Sequence, residues 1–304
     1  MSLMRWMLAN ALITLLAVVF STSAMCEVPQ QERDRIDSVT GGKGTYVDDD
    51  GVYKVMFPRE DPTFVRDGQT LSPNLDLNSW VAFKSAVHHE AIATGQILLL
   101  QDEVDAVPAK ALNSGLEVTG LASSSFFAGP HLRTLDITGV GTFQNLAAAF
   151  RECIDEIERV RKGLGNKALP PEAQLVSSID PEPLDRILSM KGVVIDGVYR
   201  AAIGTRTLLH GEQIGREMGV STWVSFAGDN DRAVMHGELV TGPDDLQTAL
   251  KALSTKSTKV ASMRDHTVGE HPQIVFVHFW TEGSAIEMAK AIRYVLNVQI
   301  GLGG

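Results

Sequence analysis

The sequence predicts an α+β protein of two homologous repeats, each a mainly antiparallel sheet of the split β-α-β kind with two helices on one face. Two observations lead to this prediction. Ordered motifs recur in both halves of the 304-residue chain, and segments with strand alternation flank segments with helical spacing. Three matched pairs of segments are residues 50–53 with 196–199, 79–83 with 222–226, and 110–112 with 251–253. Two copies with so long a period favour two packed domains over a solenoid.

The second repeat shows the elements in their order along the chain. Its strand segments are 193–202, 221–226, 232–240, 259–265 and 273–280, and its helix segments are 244–253 and 284–296. Pro243 suits the first turn of the first helix, because its ring holds a helical φ and its missing N–H is not needed there. We expect repeat domains at 25–161 and 184–304, joined at 162–183 by a linker rich in Gly, Pro and Ser.

Composition indicates a packed protein and excludes one class of partner. Hydrophobic residues make up 44% of the chain and charged residues 21%, which is enough apolar surface for a core. The net charge of −10 argues against a nucleic-acid partner, because phosphate binding needs a basic surface. Cys26 and Cys153 are the two cysteines, so no disulfide framework or cysteine-rich metal site is expected, and Cys153 should be a buried thiol.

The N-terminus has the three parts of an export signal. Arg5 precedes an apolar segment at 7–20, and small residues at 21–24 follow, which predicts a signal peptide at 1–24. As a helix the apolar segment would rise about 21 Å, less than the roughly 30 Å needed to cross a bilayer. We expect a periplasmic or secreted protein, whose only membrane contact would be an uncleaved N-terminus or a lipid on Cys26.

One face of the last predicted sheet segment contains the first candidate residues. Along 273–280, Phe276, His278 and Trp280 point to one side of the strand and the residues between them to the other. The equivalent strand of repeat one has polar residues at these positions, including Asp136 in place of His278. The sequence therefore predicts that this side faces away from the helices.

The segment 232–240 adds His236 and Glu238 to the same side. If the two segments are antiparallel neighbours, His236 lies level with His278. Imidazole and carboxylate are ordinary ligands of zinc and similar ions, so this group predicts a divalent metal site or a small-ligand site. The alternative is an interface covered by the other repeat, since a helix-free apolar face must be covered.

The turn before the last strand contains a second group of candidate ligands. No helical i, i+4 spacing fixes its geometry, so a polar, exposed turn is the alternative. In a tight hairpin, His266 would lie too far from His278 to share an ion, at roughly 3.3 Å per residue, and two subsites or a longer, bent hairpin would be needed. The predicted metal ligands are His236, His266, Glu270 and His278, and the predicted ligand-contacting residues are Glu238, Asp265, His271, Phe276 and Trp280.

Familiar catalytic motifs are absent from the sequence. It has no G-x-S-x-G nucleophile motif, no P-loop, no H-E-x-x-H helix and no dinucleotide fingerprint in a strand–turn–helix context. We therefore assign no catalytic residue, and the one cofactor that the residues suggest is a divalent metal such as zinc.

Several motifs resemble the LppY/LpqO lipoprotein family of exported bacterial proteins. The motifs are residues 52–55, 58–61, 79–83, 270–272 and 277–280. The resemblance covers nearly all of the chain after the export signal and implies a duplicated domain and export, but no established activity. Family members have a His-Asn-His stretch before the acidic residue and proline. Here Arg264 replaces the first histidine, and repeat one has lost the pattern.

These observations favour an exported protein whose second repeat binds a metal ion or small ligand, with the first repeat as a structural partner. Two other functions stay open. One is a metal-assisted hydrolase in which Glu238 or Glu270 acts as general base for a metal-bound water. The other is a purely structural envelope protein, which burial of the His-bearing face between the repeats would favour.

Overall fold

The computed structural model describes residues 27–59, 65–66, 69–70, 78–124, 132–164 and 177–299. Within these ranges the protein has two six-stranded antiparallel sheets and six α-helices, which confirms the predicted α+β class. The predicted export signal and Cys26 lie outside the described residues. No helix in the described ranges is both long and apolar enough to cross a membrane.

The first repeat forms one sheet with three helices. Its helices are α1 (Gln30–Thr40), α2 (Ala106–Asn113) and α3 (Phe143–Leu164). Its strands are β1 (Gly44–Val47), β2 (Val52–Pro58), β3 (Val65–Arg66), β4 (Gln69–Thr70), β5 (Asn78–Ser85), β6 (Ala91–Leu100), β7 (Glu117–Ser124) and β8 (Leu132–Gly141). The sheet order is β1-β2-β5-β6-β8-β7, and β3 and β4 form a separate small hairpin.

The second repeat has the same arrangement. Its helices are α4 (Pro181–Leu188), α5 (Leu246–Thr255) and α6 (Ala285–Gln299). Its strands are β9 (Val193–Ile195), β10 (Val198–Gly204), β11 (Thr207–Leu209), β12 (Glu212–Ile214), β13 (Ser221–Gly228), β14 (Ala233–Thr241), β15 (Lys259–Arg264) and β16 (Val275–Gly283). The order β9-β10-β13-β14-β16-β15 repeats that of the first sheet, with β11 and β12 as a small hairpin. This common order confirms the duplication.

One predicted strand is a hairpin. The segment 193–202 folds back on itself between β9 and β10, at Asp196 and Gly197, which both have positive φ angles of 48° and 77°. Asp-Gly is a preferred pair for a two-residue hairpin turn with two positive φ values. Apolar residues on both sides of Asp196 and Gly197 made the segment look like one continuous strand in the sequence.

A helix that was not predicted from the sequence opens each repeat, and the same contact holds both helices to their sheets. Asp37 of α1 accepts hydrogen bonds from the Tyr53 hydroxyl at 2.5 Å and from the N–H seven residues further on at 3.0 Å. Asp185 of α4 accepts the equivalent bonds from Tyr199 at 2.8 Å and from the N–H seven residues on at 2.9 Å. The duplication therefore extends to individual polar contacts.

Buried apolar side chains of the described residues arrange the molecule in layers. Helices α1 to α3 cover one face of the first sheet, and α4 to α6 cover one face of the second. The opposite faces pack against each other, with Ala82 and Ile92 of repeat one beside Val240 and Phe276 of repeat two. Strand β13 is consequently buried on both faces along its whole length. Cys153 lies in the first core as a buried free thiol, as predicted.

Candidate metal centre

The candidate site lies on the helix-free face of the second sheet, where β14 and β16 are antiparallel neighbours, as predicted. The alternation is also confirmed, because Val277 and Phe279 pack in the helix-side core and Phe276 packs between the repeats. The predicted register is wrong by two residues. Glu238, not His236, lies opposite His278. A slip of two residues keeps every side chain on its face, so alternation alone does not reveal it.

Three ligand atoms converge on this face. Glu238 Oε2 lies 2.6 Å from His278 Nε2 and 3.3 Å from His266 Nε2. All three groups offer an atom within 4.8 Å of the others. Across the part of the chain that the structure describes, no other group of three His, Cys, Asp or Glu residues is this close. We call Glu238, His266 and His278 the triad.

His266 reaches the triad because the hairpin between β15 and β16 is long and bent. Strand β15 ends at Arg264 and β16 begins at Val275. After Arg264 the chain turns back over the sheet, where the His266 ring packs edge-on against Phe276 with the ring centroids 4.4 Å apart. Thr119 of repeat one donates a hydrogen bond to the His266 carbonyl at 2.6 Å. The bent hairpin is thus the alternative that brings both imidazoles together.

Neighbouring side chains orient two of the three ligands. Asp136 of repeat one contacts His266 Nδ1 at 2.9 Å, which leaves Nε2 directed at Glu238. Trp223 Nε1 donates to Glu238 Oε1 at 3.1 Å, which leaves Oε2 for the histidines. Carboxylate–histidine contacts of this kind set the tautomer and the ring orientation at metal sites. Sequence reasoning gave Asp136 no role, because its contact with His266 crosses the interface between the repeats.

Arg264 fills the remaining side of the site. Its guanidinium pairs with Asp136, donates to Thr134 Oγ1 at 2.8 Å, and places Nη2 2.9 Å from His278 Nε2 and 3.3 Å from His266 Nε2. Since a guanidinium only donates, His278 Nε2 must accept from Arg264. The 2.6 Å contact with Glu238 would require that same nitrogen to donate. Nε2 of His278 therefore faces a cation and an anion at once.

The charges in the site shift two pKa values. Burial alone would raise the pKa of Glu238, but its electrostatic interactions and hydrogen bonds with the His278 and His266 rings outweigh burial and hold the pKa well below its usual value. Burial alone would lower the pKa of His266, but Asp136 and Glu238 outweigh both burial and Arg264 and raise it to about 9. Around neutral pH the triad therefore holds an ionised carboxylate and a protonated imidazole.

Two of the predicted metal ligands lie outside the triad. The His236 ring packs edge-on against Trp223, with centroids 5.1 Å apart, and stacks on the His278 ring at 6.2 Å. Glu270 is buried and accepts hydrogen bonds from Thr267 Oγ1 at 3.0 Å and from the Ile274 N–H at 3.2 Å. Glu270 therefore holds the bent hairpin in shape.

The predicted ligand-contacting residues lie in different parts of the structure. Asp265 and His271 are exposed, and the His271 backbone pairs with that of Leu208. Phe276 supports the His266 ring, and Trp280 lies under Lys259 Nζ, which is 4.2 Å from its ring centroid. Of this predicted set, Glu238 is the residue that the structure places in the triad.

The face is an interface and also reaches a cavity. Packing between the repeats buries this face, and the exposed fractions of the Glu238, His266 and His278 side chains are 3%, 10% and 13%. All three nevertheless line a cleft of about 550 Å³. Both carboxylates predicted as general base are engaged, since Glu238 contacts both histidines and Glu270 accepts hydrogen bonds within the hairpin.

Comparisons with known proteins give a family but no activity. The family model described as "Domain of Unknown Function (DUF1259)" matches the chain twice, at residues 34–156 and 182–298. No curated protein gives a significant match.

Solved structures of microcompartment shell proteins are similar to this chain at a low level. A trimeric bacterial microcompartment shell protein, PduB, has 9% identity and a TM-score of 0.21, with 85% of this chain and 91% of that chain covered. EtuB from Clostridium kluyveri has 8% identity and a TM-score of 0.20, with coverage of 83% and 87%. TM-scores this low support no argument about fold or function.

The raised pKa of His266 predicts how stability depends on pH. Because the folded-state value of about 9 exceeds the ordinary value of 6.5, this group's stabilisation is complete below pH 6.5 and is lost as the pH rises through 9. We expect the urea midpoint of the metal-free protein to fall between pH 6 and pH 9.5. The fall should be smaller in Asp136→Asn, which removes the main cause of the raised pKa, and unchanged in Asp265→Asn, at an exposed neighbouring position. Equal falls in wild type and Asp136→Asn would contradict this assignment.

Proposed function

This chain belongs to the family of the Domain of Unknown Function (DUF1259), and we propose that it binds one divalent metal ion through Glu238, His266 and His278. The observation that supports this most is the convergence of two imidazole Nε2 atoms and one carboxylate oxygen within 4.8 Å. Two nitrogens and one oxygen suit zinc and other borderline divalent ions. A bound cation would also give His278 Nε2 and Glu238 Oε2 a common partner.

The spacing of the triad is near that of a metal site. Ligand atoms bound to zinc at about 2.0–2.1 Å in a tetrahedron lie about 3.3 Å apart. The His266–Glu238 pair already has this separation, at 3.3 Å, while the His278–Glu238 pair, at 2.6 Å, must open slightly. Asp136 and Trp223 hold two of the ligands in orientation from outside the triad. Binding therefore needs small side-chain shifts and no refolding of the sheet.

Arg264 is one obstacle to metal binding, and the proton that His266 must lose before it can bind a metal is another. Its guanidinium lies against both Nε2 atoms and is itself positively charged. A metal ion has to displace it from the histidines and bear its repulsion at short range. The contacts of Arg264 with Asp136 and Thr134 give the side chain a place to remain after this displacement.

Three protein ligands leave a position for water or a small molecule, as catalytic zinc sites do. Opening of the triad onto the cleft favours a metal-assisted hydrolase as a second candidate. Binding is the primary proposal because Glu238 and Glu270, the two predicted general bases, are both engaged by other side chains.

The export proposal rests on the sequence. Arg5, the apolar segment 7–20 and the small residues 21–24 support it, and so does the resemblance to the LppY/LpqO family. We place the protein in the periplasm or outside the cell. N-terminal sequencing of the protein from its native host should find a chain that begins just after Ala24. A mature protein that still begins at Met1 and stays in the cytoplasm would contradict export.

The triad predicts stoichiometric metal binding that depends on His278. Metal-free protein titrated with zinc by calorimetry should bind about one equivalent. His278→Ala should weaken the affinity at least about tenfold, because loss of a protein ligand or its support typically costs this much. His236→Ala, at the neighbouring imidazole outside the triad, and His271→Ala, at the surface, should retain binding. The absence of stoichiometric zinc, or equal affinity in wild type and His278→Ala, would reject the metal site.

Competition with Arg264 predicts a gain of affinity. Arg264→Met removes the guanidinium but keeps much of the side-chain volume, so apparent zinc affinity should rise about tenfold or more, which corresponds to about 1.4 kcal/mol. Arg133→Met, at a partly exposed arginine of β8 away from the triad, is the matched control and should have no effect. Circular dichroism checks that both variants are folded. A loss of zinc affinity in folded Arg264→Met would show that the guanidinium supports the site and does not compete with the metal.

A further inference from the structure

The cleft over the triad has the size of a small-molecule site. Its volume is about 550 Å³, inside the range of roughly 300–1,000 Å³ that ligand pockets occupy. Strands β2 and β5 of the first repeat line it together with β9, β10 and β13 of the second. The two repeats thus build the cleft jointly.

Basic side chains outnumber acidic ones among the described residues of the cleft, although the chain as a whole has a net charge of −10. The basic residues are Lys54, Lys191, Arg200 and Arg216, and the acidic residues are Glu217 and Glu238. Glu217 accepts from Arg216 Nε at 2.8 Å and lies 3.8 Å from Lys54 Nζ, and Glu238 is engaged by the triad histidines. Positive charge concentrated in a cleft attracts an anion.

Two of these cations are held in place by tryptophans at equivalent positions of the repeats. Lys54 Nζ lies 4.3 Å from the ring centroid of Trp80, and Arg200 Cζ lies 4.2 Å from that of Trp223. Cation–π contacts of this length restrict the side chains that make them. An anion entering the cleft therefore meets positive charges whose positions are already limited by packing.

Another part of the cleft is apolar and open to solvent. Val193 and Ile195 of β9 are 58% and 56% exposed, and Met56 of β2 is 42% exposed; all three line the cleft. Large apolar side chains exposed in a concave surface mark a contact site. They are suited to an apolar body on the same ligand.

We propose that this cleft binds a small organic anion with an apolar body. Its charge lies near the basic residues of the cleft, Lys54, Lys191, Arg200 and Arg216, and its body lies against Val193 and Ile195. This site goes beyond the proposed metal centre and does not require the metal. The nearness of the triad means that an anionic group of the ligand can approach a metal ion bound there.

The test uses two dyes with the same apolar body. The anionic probe is 8-anilinonaphthalene-1-sulfonate, and the neutral one is N-phenyl-1-naphthylamine, which lacks the sulfonate. Fluorescence titrations use the folded protein without its export signal. They are done once with a chelator that removes metal ions and once with zinc. We expect one saturable site for the anionic dye in both conditions, with at least fivefold weaker binding of the neutral dye.

Variants identify the residues responsible. The double variant Lys191→Gln/Arg216→Gln should weaken the anionic dye at least fivefold and leave the neutral dye unchanged, because both side chains lie at the cleft surface. Val193→Ser should weaken both dyes. The control Lys162→Gln/Lys290→Gln removes two exposed lysines from α3 and α6 and should change the affinity for neither dye.

Equal binding of the two dyes, or unchanged anionic-dye affinity in the Lys191/Arg216 variant, would overturn the proposal. Failure of zinc binding would leave this result unaffected.

Discussion

The contact between Asp136 and His266 joins the two repeats at the point where the candidate chemistry lies. Helices cover one face of each sheet, so the opposite faces can avoid water only by packing on each other. That packing brings a carboxylate of repeat one within 2.9 Å of a histidine of repeat two. It also buries Glu238, whose charge must then be balanced by neighbouring cations. The packing of the two helix-free sheet faces therefore produces both the interface between the repeats and the candidate site.

Equivalent positions of the two sheets have different roles. Gln96 lies opposite Asp136 on β6 and β8, and Glu238 lies opposite His278 at the same place on β14 and β16. In repeat one the pair forms a hydrogen bond between Gln96 Nε2 and Asp136 Oδ1 at 3.1 Å. The pair in repeat two supplies two of the three triad ligands. Repeat one, expected to be only a structural partner, thus orients a ligand for its neighbour.

Sequence patterns could predict the face of the site and a set of candidates that includes Glu238, His266 and His278, but not which of the candidates converge. Alternation along 273–280 places His278 away from the helices, and the structure confirms this. Alternation does not determine the register of the two strands, because a slip of two residues preserves it. In the structure Glu238, not His236, lies opposite His278. The course of a long hairpin and the contact across the interface depend on tertiary packing. For this reason neither the approach of His266 nor the role of Asp136 was visible in the motif spacing.

We propose that Glu238, His266 and His278 of the second repeat bind one metal ion, with Asp136 of the first repeat orienting His266. The most direct test is a crystal structure of the zinc-loaded protein, with anomalous difference density collected at the zinc edge. We expect one peak about 2.0–2.2 Å from Glu238 Oε2 and from both Nε2 atoms, with the Arg264 guanidinium moved away from the histidines. A peak elsewhere, for example at His271, or Arg264 still lying between the two imidazoles without a metal, would contradict it.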